Sequence, residues 1–201
     1  MPWPKEHKRY TRERIIEAAA AAFREHGIDE VGVADVMRKA GLTHGGFYAH
    51  FASKDDLLAK AIQYASEQVS ELLESAAKDP TSNRRLLDAA LIYLSSAHLA
   101  HPEWGCPIAA LGPDLVRSGQ KARRTLAADI RTRLKQLQDL TPGQMPAETR
   151  KRQVAGALAC MVGGLIIARG LEDSEGLEFL KDCHGFLQES LAKTDRRKPA
   201  A

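Results

Sequence analysis

Hydrophobic residues recur along this 201-residue chain at intervals of three and four, which is the spacing of amphipathic α-helices. Strand-like alternation is scarce, so the pattern predicts an all-α fold of about nine helices. The first helix is expected at about 12–26, where Ile15, Ala19 and Phe23 share one face. Thr11 is its expected N-cap, and Gly27 follows its last turn as a C-terminal cap.

Two short helical segments follow, and Gly41-Leu42-Thr43 joins them. A glycine can take the positive φ that ends one helix, and the Thr43 hydroxyl can cap the next, which is expected from His44 to about Phe51. This turn chemistry predicts a helix-turn-helix over about 32–51. Four residues are expected to bury its apolar side against the first helix: Val36, Leu42, Phe47 and Phe51.

The rest of the chain continues the helical pattern. Ser53 is a good N-cap for a long helix that reaches about residue 76. Further helices are predicted at about 84–100, 106–117, 119–139, 147–170 and 175–193, followed by a flexible tail over 194–201. The uncharged stretch Val154–Ala168 is shorter than the roughly 20 residues that cross a bilayer, so it predicts a buried helix and no membrane partner.

Charge and cysteine content narrow the class of protein. The net charge is only +3, so nucleic-acid binding would require locally placed charge, and segment 1–14 alone carries five Lys and Arg against two Glu. Three cysteines without a Cys-x-x-Cys disfavour a disulfide framework or a four-thiolate zinc site. The N-terminus lacks the apolar core of a signal peptide, and a cytoplasmic location is therefore expected.

Polar groups cluster on the outward side of the second helix of the helix-turn-helix. His44, Gly45, Gly46, Tyr48 and His50 are expected there. Two adjacent glycines cost a helix roughly 2 kcal/mol, which close approach to another polymer would explain. The Tyr48 hydroxyl could reach a phosphate. The alternatives are that the two glycines form a plain loop and that Tyr48 is a half-buried core residue.

Two further basic positions are expected at helix N-termini, where the dipole attracts anions. Lys54 follows Ser53 at the start of the long helix, and Thr11 and Arg12 begin the first helix. The local excess of positive charge, the glycine–threonine turn and the outward polar groups thus coincide in one part of the chain.

Several motifs in this part resemble the DNA-binding head of the tetracycline-repressor (TetR) family over about residues 9–69. They are Thr11-Arg12-Glu13-Arg14-Ile15-Ile16, Phe23, Gly27, the run from Gly41 to Phe51, and Ser53-Lys54-Asp55-Asp56-Leu57. The resemblance implies an all-helical, dimeric transcription regulator. It implies a DNA-binding domain over 9–69 and a ligand-binding and dimerisation domain over 70–193.

The resemblance also implies roles by position. Thr43, Tyr48 and Lys54 match phosphate-contacting residues, His44, Gly45 and Gly46 face base edges, and His50 lies near the DNA backbone. Gly32 departs from the pattern, because the family commonly has Thr or Ser there and glycine cannot supply a hydroxyl contact. Without long polar side chains at 45 and 46, recognition is expected to use His44, thymine methyl groups and DNA shape, and to weaken steeply with salt.

Small residues recur at intervals of three and four along Gln153–Gly170, and the final helix is rich in Leu and Phe. This combination suggests a helical dimer interface, and the alternative is an intramolecular core. The family resemblance favours a homodimer through the last two helices. A two-fold dimer would bind a palindromic operator in double-stranded DNA.

The middle helices, 84–139, are expected to enclose an effector cavity. Its candidate lining residues are Tyr93, Trp104, Ile108 and Met161, together with Leu91, Leu94 and Leu111. Cys106 is expected at a helix start, where the dipole favours a thiolate. Gly105-Cys106 resembles a TetR sub-group with Gly-Cys at the start of the sixth helix, which suggests a reactive sensor. The alternative is that Cys106 is a small packing residue.

The sequence therefore predicts a DNA-binding transcriptional regulator, favoured as a repressor, that responds to a small molecule or an electrophile. The alternative is a helical ligand-binding or thiol-sensing protein without specific operator binding. An enzyme is disfavoured because no Gly-x-Ser-x-Gly, phosphate-binding glycine loop or His-Glu-x-x-His occurs. No cofactor is expected, and His98, His101 and Cys106 match no standard metal spacing.

Overall fold

The computed structural model describes residues 5–79 and 81–195, which form nine α-helices, two short 3₁₀ helices and no strand. The predicted all-α fold is confirmed. The 3₁₀ helices are His44–Ala49 and Pro102–Trp104. The α-helices are α1 (Lys5–His26), α2 (Val33–Lys39), α3 (Lys54–Ala76), α4 (Arg85–Tyr93), α5 (Ser96–Ala100), α6 (Pro107–Arg117), α7 (Gln120–Asp139), α8 (Ala147–Arg169) and α9 (Asp173–Asp195).

These helices group into two compact units. The first unit runs to Gln68 and also contains Pro102–Asp129. The second unit contains Val69–His101 and the chain from Ile130 onward, so the division falls within α3 and within α7. Packing does not test which residues bind DNA or a ligand, and the functional domains over 9–69 and 70–193 stay predictions.

The first helix is longer than predicted. Because α1 already begins at Lys5, Thr11 lies inside the helix and is buried, and its expected role as N-cap is wrong, as is a helix N-terminus at Arg12. Residues 5–11 contain no glycine or proline, and Arg9 pairs with Glu13 one turn later at 3.7 Å. Gly27 ends the helix with a φ of +84°, as predicted.

The predicted helix over 84–100 is two helices. Leu94 ends α4 with a φ of −85° and a ψ of +33°. Ser95 then caps α5, because its Oγ accepts a hydrogen bond from the His98 N–H at 3.2 Å. The apolar period continues across this break, which is why periodicity alone did not reveal it.

Two other boundaries also differ. The segment predicted over 44–51 is a 3₁₀ helix that ends at Ala49. The last helix extends to Asp195, so residues 194 and 195 of the predicted tail are helical, and its residues 196–201 lie outside the described residues.

The core of the first unit is formed largely by the residues that the pattern predicted. Fully or almost fully buried are Ile15, Ala19, Phe23, Val36, Phe47 and Phe51, whereas Leu42 is only half-buried. The rings of Phe47 and Phe51 stack with centroids 5.7 Å apart. This packing holds α2 and the first 3₁₀ helix against α1.

In the second unit, α8 and α9 pack closely. A Cβ at Gly176 would collide with the carbonyl oxygen of Ala168, so the two helices approach at backbone distance there. By length and composition α8 could cross a membrane, although core helices also meet that test, and 33% of its most apolar window is buried within the chain. The sequence predicts a buried helix here, but most of this window is not buried within the chain, so α8 leaves apolar residues exposed. We call the exposed residues Ile166, Ile167, Leu171, Leu177 and Phe186 the α8–α9 face.

Candidate nucleic-acid interface

The turn between α2 and the first 3₁₀ helix has the backbone that its sequence predicted. Gly41 adopts a φ of +69°, and the Leu42 N–H donates to the Met37 carbonyl at 2.8 Å. Arg14 Nη2 donates to the Ala40 carbonyl at 2.6 Å and thereby fixes the turn to α1. Sequence analysis missed this role, because Arg14 is one of several charged residues on the polar side of an amphipathic helix.

Thr43 lies at the N-cap position of the 3₁₀ helix, with extended dihedral angles of −80° and +146°. Its side chain makes no capping hydrogen bond, so the predicted hydroxyl cap is wrong. The backbone supplies the contact instead, because the Gly46 N–H donates to the Thr43 carbonyl at 3.2 Å. The exposed Thr43 side chain is thus not used to cap this helix.

The 3₁₀ helix presents an open surface. His44 and Gly45 are exposed, and a Cβ at Gly45 would meet no described atom within 4 Å. Tyr48 is 70% exposed, while its ring meets buried Phe47 edge-to-face at 5.2 Å. Gly46 is half-buried, with Met37 Cε 3.7 Å from the position of a Cβ. The two glycines are therefore helical rather than a plain loop, and Tyr48 is not a half-buried core residue.

The start of α3 is capped as predicted, and the side chain of its first residue is half-buried. Ser53 Oγ accepts a hydrogen bond from the Asp56 N–H at 3.1 Å. Lys54 Nζ donates to the Ile28 carbonyl at 2.6 Å and lies 5.9 Å from the centroid of the Phe23 ring. An ammonium has three donors, so Lys54 ties α3 to the end of α1 and keeps two donors for other partners.

Arg12 and His50 lie together beside the 3₁₀ helix. The Arg12 guanidinium lies 4.2 Å from the Phe51 ring centroid, and its Nη1 donates to the His50 carbonyl at 3.4 Å. His50 is half-buried, so it is less exposed than His44 and Tyr48. Its Nδ1 is buried and has no hydrogen-bond partner among the described residues. Burial lowers the His50 pKa below 6.5, and the positive charges of Lys8 and Arg12 lower it further.

We expect acid to destabilise the fold through His50. In the unfolded chain this imidazole binds a proton near pH 6.5, whereas the folded protein binds it only at lower pH. Stability from His50 is therefore present above about pH 6.5 and is lost as the pH falls below that value. Urea unfolding at pH 7.5 and 5.5 measures this loss, which should be smaller in His50→Asn. Equal losses in both proteins would contradict the assignment.

The predicted effector residues occupy different surroundings. In the first unit Trp104 is exposed, while Ile108 and Cys106 are buried, Cys106 at the N-cap of α6 before Pro107. In the second unit Tyr93 and Met161 are fully buried.

A groove of about 610 Å³ in the first unit is lined by none of these five residues. Its lining residues are Ala22, His26, Glu30, Val31, Asp35, Arg38 and Lys39.

Comparison with known proteins identifies the family. Residues 15–61 match the family described as bacterial regulatory proteins, tetR family. The chain is 28% identical over 181 residues to an uncharacterized HTH-type transcriptional regulator of Mycobacterium tuberculosis, covering 84% of this chain and 89% of that protein. The matched family segment contains the whole turn and the 3₁₀ helix described above.

The fold is also found in solved structures. A TetR-family transcriptional regulator from Cytophaga hutchinsonii superposes with a TM-score of 0.80 at 18% identity, covering 98% of this chain and 100% of that one. A TetR transcriptional regulator from Chloroflexus aurantiacus gives a TM-score of 0.75 at 24% identity, covering 94% and 98%. Residues 15–61 thus belong to the TetR family of bacterial regulatory proteins, and the chain shares its fold with TetR-family transcriptional regulators over most of its length.

Proposed function

We propose that the protein is a cytoplasmic homodimeric repressor that binds a palindromic operator and releases it in response to a small molecule or an electrophile. The observation that carries the proposal is the exposed surface of the 3₁₀ helix, where Tyr48 and His44 project from a turn fixed to α1 by Arg14. A surface that is fixed to the core on one side and exposes polar side chains on the other suits the groove of a DNA duplex.

Each side chain on this surface has a distinct proposed role. The hydroxyls of Tyr48 and Thr43 bind phosphate oxygens, and His44 faces a base edge. Open space at Gly45 lets the backbone approach the groove closely, because no side chain stands between them. Lys54 acts through the N-terminus of α3 and its remaining donors, since one donor is already used by Ile28.

The second proposed element is a dimer formed through the α8–α9 face. Five large apolar side chains are exposed on α8, on α9 and in the turn between them, and a second copy related by two-fold symmetry would cover those that lie on its side of the two helices. Gly156 and Gly163 on α8 have no described atom within 4 Å of a Cβ position, so a partner helix could come close to α8 at both places.

The third proposed element is control through the segment that precedes α6. The Gly105 carbonyl accepts a hydrogen bond from Arg24 of α1 at 2.7 Å, and Cys106 is the next residue. A change at Cys106 would therefore act on a direct hydrogen bond to the helix that supports the turn. Cys106 is 1% exposed, which also fits the alternative of a packing residue. The Gly-Cys sub-group, like Trp104, Tyr93, Ile108 and Met161 as effector contacts, stays a prediction.

A binding measurement with Tyr48→Phe tests the DNA-binding proposal. Fluorescence anisotropy compares a duplex from upstream of the protein's own coding region with an unrelated duplex, over a series of salt concentrations. We expect a preference for the upstream duplex, steep salt dependence, and roughly tenfold weaker binding by Tyr48→Phe, since one phosphate hydrogen bond per subunit is lost. The salt slope should not change, because a hydroxyl releases no counterion.

Tyr64→Phe is the matched control, because Tyr64 is half-buried on α3 and lies outside the 3₁₀ helix. It should bind the operator like the wild type. Equal affinity of the wild type for both duplexes, or weak salt dependence, would overturn the proposal in favour of a helical sensor without an operator.

A further inference from the structure

Two cysteines that have no part in the proposed DNA contacts meet between α8 and α9. Cys160 is half-buried on α8, Cys183 is buried on α9, and neither is in a disulfide. The two thiols are close enough that Cys183 helps to raise the pKa of Cys160. The pair lies within the second unit of a single chain.

Gly164 explains why the two thiols can meet. A Cβ at this position would lie 3.1 Å from Cys183 Sγ and 3.8 Å from Cys183 Cβ, so Cys183 packs directly on the backbone of α8. Residues four apart on a helix share a face, which places Cys160 one turn before Gly164 on the same side. The absent side chain at Gly164 therefore makes the space in which Cys183 Sγ reaches Cys160.

We propose that Cys160 and Cys183 are a redox-active pair, which an electrophilic two-electron oxidant converts into an intramolecular disulfide linking α8 to α9. Diamide is a suitable probe of this class. The more accessible Cys160 thiolate adds to the N=N bond of diamide, and a proton from solvent completes the adduct. Cys183 then attacks Cys160 Sγ and displaces the hydrazine, so the two thiols lose two hydrogens and diamide gains them.

The surroundings of the pair set how fast the reaction runs. Burial, together with the neighbouring Cys183, raises the pKa of Cys160 to about 11. Since the thiolate is the nucleophile, only a small fraction of Cys160 reacts at neutral pH. The rate should rise roughly tenfold per pH unit between pH 7 and 9.

Peptide mapping of the full-length wild-type protein tests the proposal. After diamide treatment at pH 8, remaining thiols are blocked with N-ethylmaleimide and the chain is cleaved with trypsin. The sequence places each cysteine on its own peptide: Cys106 on 86–117, Cys160 on 153–169 and Cys183 on 182–193. We expect peptides 153–169 and 182–193 to be joined, peptide 86–117 to carry maleimide, and dithiothreitol to reverse the link.

Three comparisons show whether the fold directs this pairing. Cys160→Ser and Cys183→Ser should each abolish the cross-link, and Cys106→Ser should leave it unchanged. In urea the selectivity should disappear, and all three cysteine peptides should be found in mixed disulfides. The proposal is overturned if folded protein joins peptide 86–117, forms covalent dimers, or keeps both thiols open to maleimide after diamide at pH 9.

This outcome does not depend on the proposed repressor function. The two thiols meet within one chain, so the disulfide requires neither a second copy nor an operator. Cys160 lies one turn after Gly156 on α8, so a dimer formed there would slow the reaction with diamide without changing which cysteines pair. Conversely, failure of the cross-link would leave the DNA-binding surface of the first unit untouched.

Discussion

Replacing Arg24 by methionine is expected to lower the free energy of unfolding by about 2–4 kcal/mol. Arg24 is only 5% exposed, and its guanidinium makes three hydrogen bonds. Nε donates to the Ala20 carbonyl at 2.9 Å, Nη1 to the Gly105 carbonyl at 2.7 Å, and Nη2 to Gln68 Oε1 at 3.1 Å. Methionine fills similar space but leaves the Gly105 carbonyl and Gln68 Oε1 without the guanidinium donors, whereas the Ala20 carbonyl keeps its helical backbone bond. An unpaired buried acceptor costs about 1–3 kcal/mol.

Burial lowers the pKa of Arg24 to about 10. Because this value is still well above neutral pH, the guanidinium stays charged there. Its positive charge and its donors therefore both serve the folded state under ordinary conditions. The hydrogen bonds join α1 to α3 and to the segment before α6, all within the first unit. Loss of Arg24 should loosen the helix that supports the turn.

Urea unfolding followed by circular dichroism measures the effect, with Arg117→Met as the matched control. Arg117 is an exposed arginine of the same unit that pairs with Asp114 at 2.7 Å, so its loss should cost less than about 1 kcal/mol. Similar losses in the two variants would mean that the three hydrogen bonds of Arg24 contribute no more to stability than an exposed ion pair does.

Arg24 also shows what the sequence could not reveal. Its partners Gln68 and Gly105 are 44 and 81 residues away in the chain, and a helical pattern shows only which residues share a face locally. The same limit applies to Lys54, which is expected to attract an anion at a helix N-terminus but whose ammonium donates to the carbonyl of Ile28. Long-range hydrogen bonds depend on the tertiary arrangement, which no spacing within one helix encodes.

The turn, in contrast, was predictable because its causes are local. A positive φ at Gly41 and a cap at Ser53 follow from the chemistry of those residues and their immediate neighbours, and the structure has both. Local chemistry also misleads where a residue that is a good helix cap follows other residues that can form the helix. Thr11 is a good N-cap by type, but the helix-forming residues before it extend α1 past that position.

The effector residues mark a different limit. Trp104, Tyr93 and Met161 are all large and apolar, and composition cannot distinguish an exposed residue from a buried one. The structure exposes Trp104 and buries the other two completely. Which of them contacts an effector depends on whether a cavity lies beside the residue and whether a ligand can reach it. A sequence pattern shows neither property.

Replacing Phe186 by glutamate is expected to convert the proposed dimer into monomers and to weaken operator binding by at least about 100-fold. Phe186 is 60% exposed on α9, and with Ile166, Ile167, Leu171 and Leu177 it forms the α8–α9 face. On a single chain a charge there is solvated and should not disturb the fold. In an interface it would be buried against a second apolar face without a partner, which costs several kcal/mol.

The effect on DNA follows from the two half-sites of a palindrome. In a dimer the second head binds at a high effective concentration because the first already holds the DNA, and a monomer loses this gain. Sedimentation velocity measures the mass, and fluorescence anisotropy measures the affinity. Val116→Glu is the matched control, because Val116 is also 60% exposed but lies on α6 in the first unit. If Phe186→Glu stays dimeric while remaining folded, the subunits must associate through another surface, and the α8–α9 face must have a different partner.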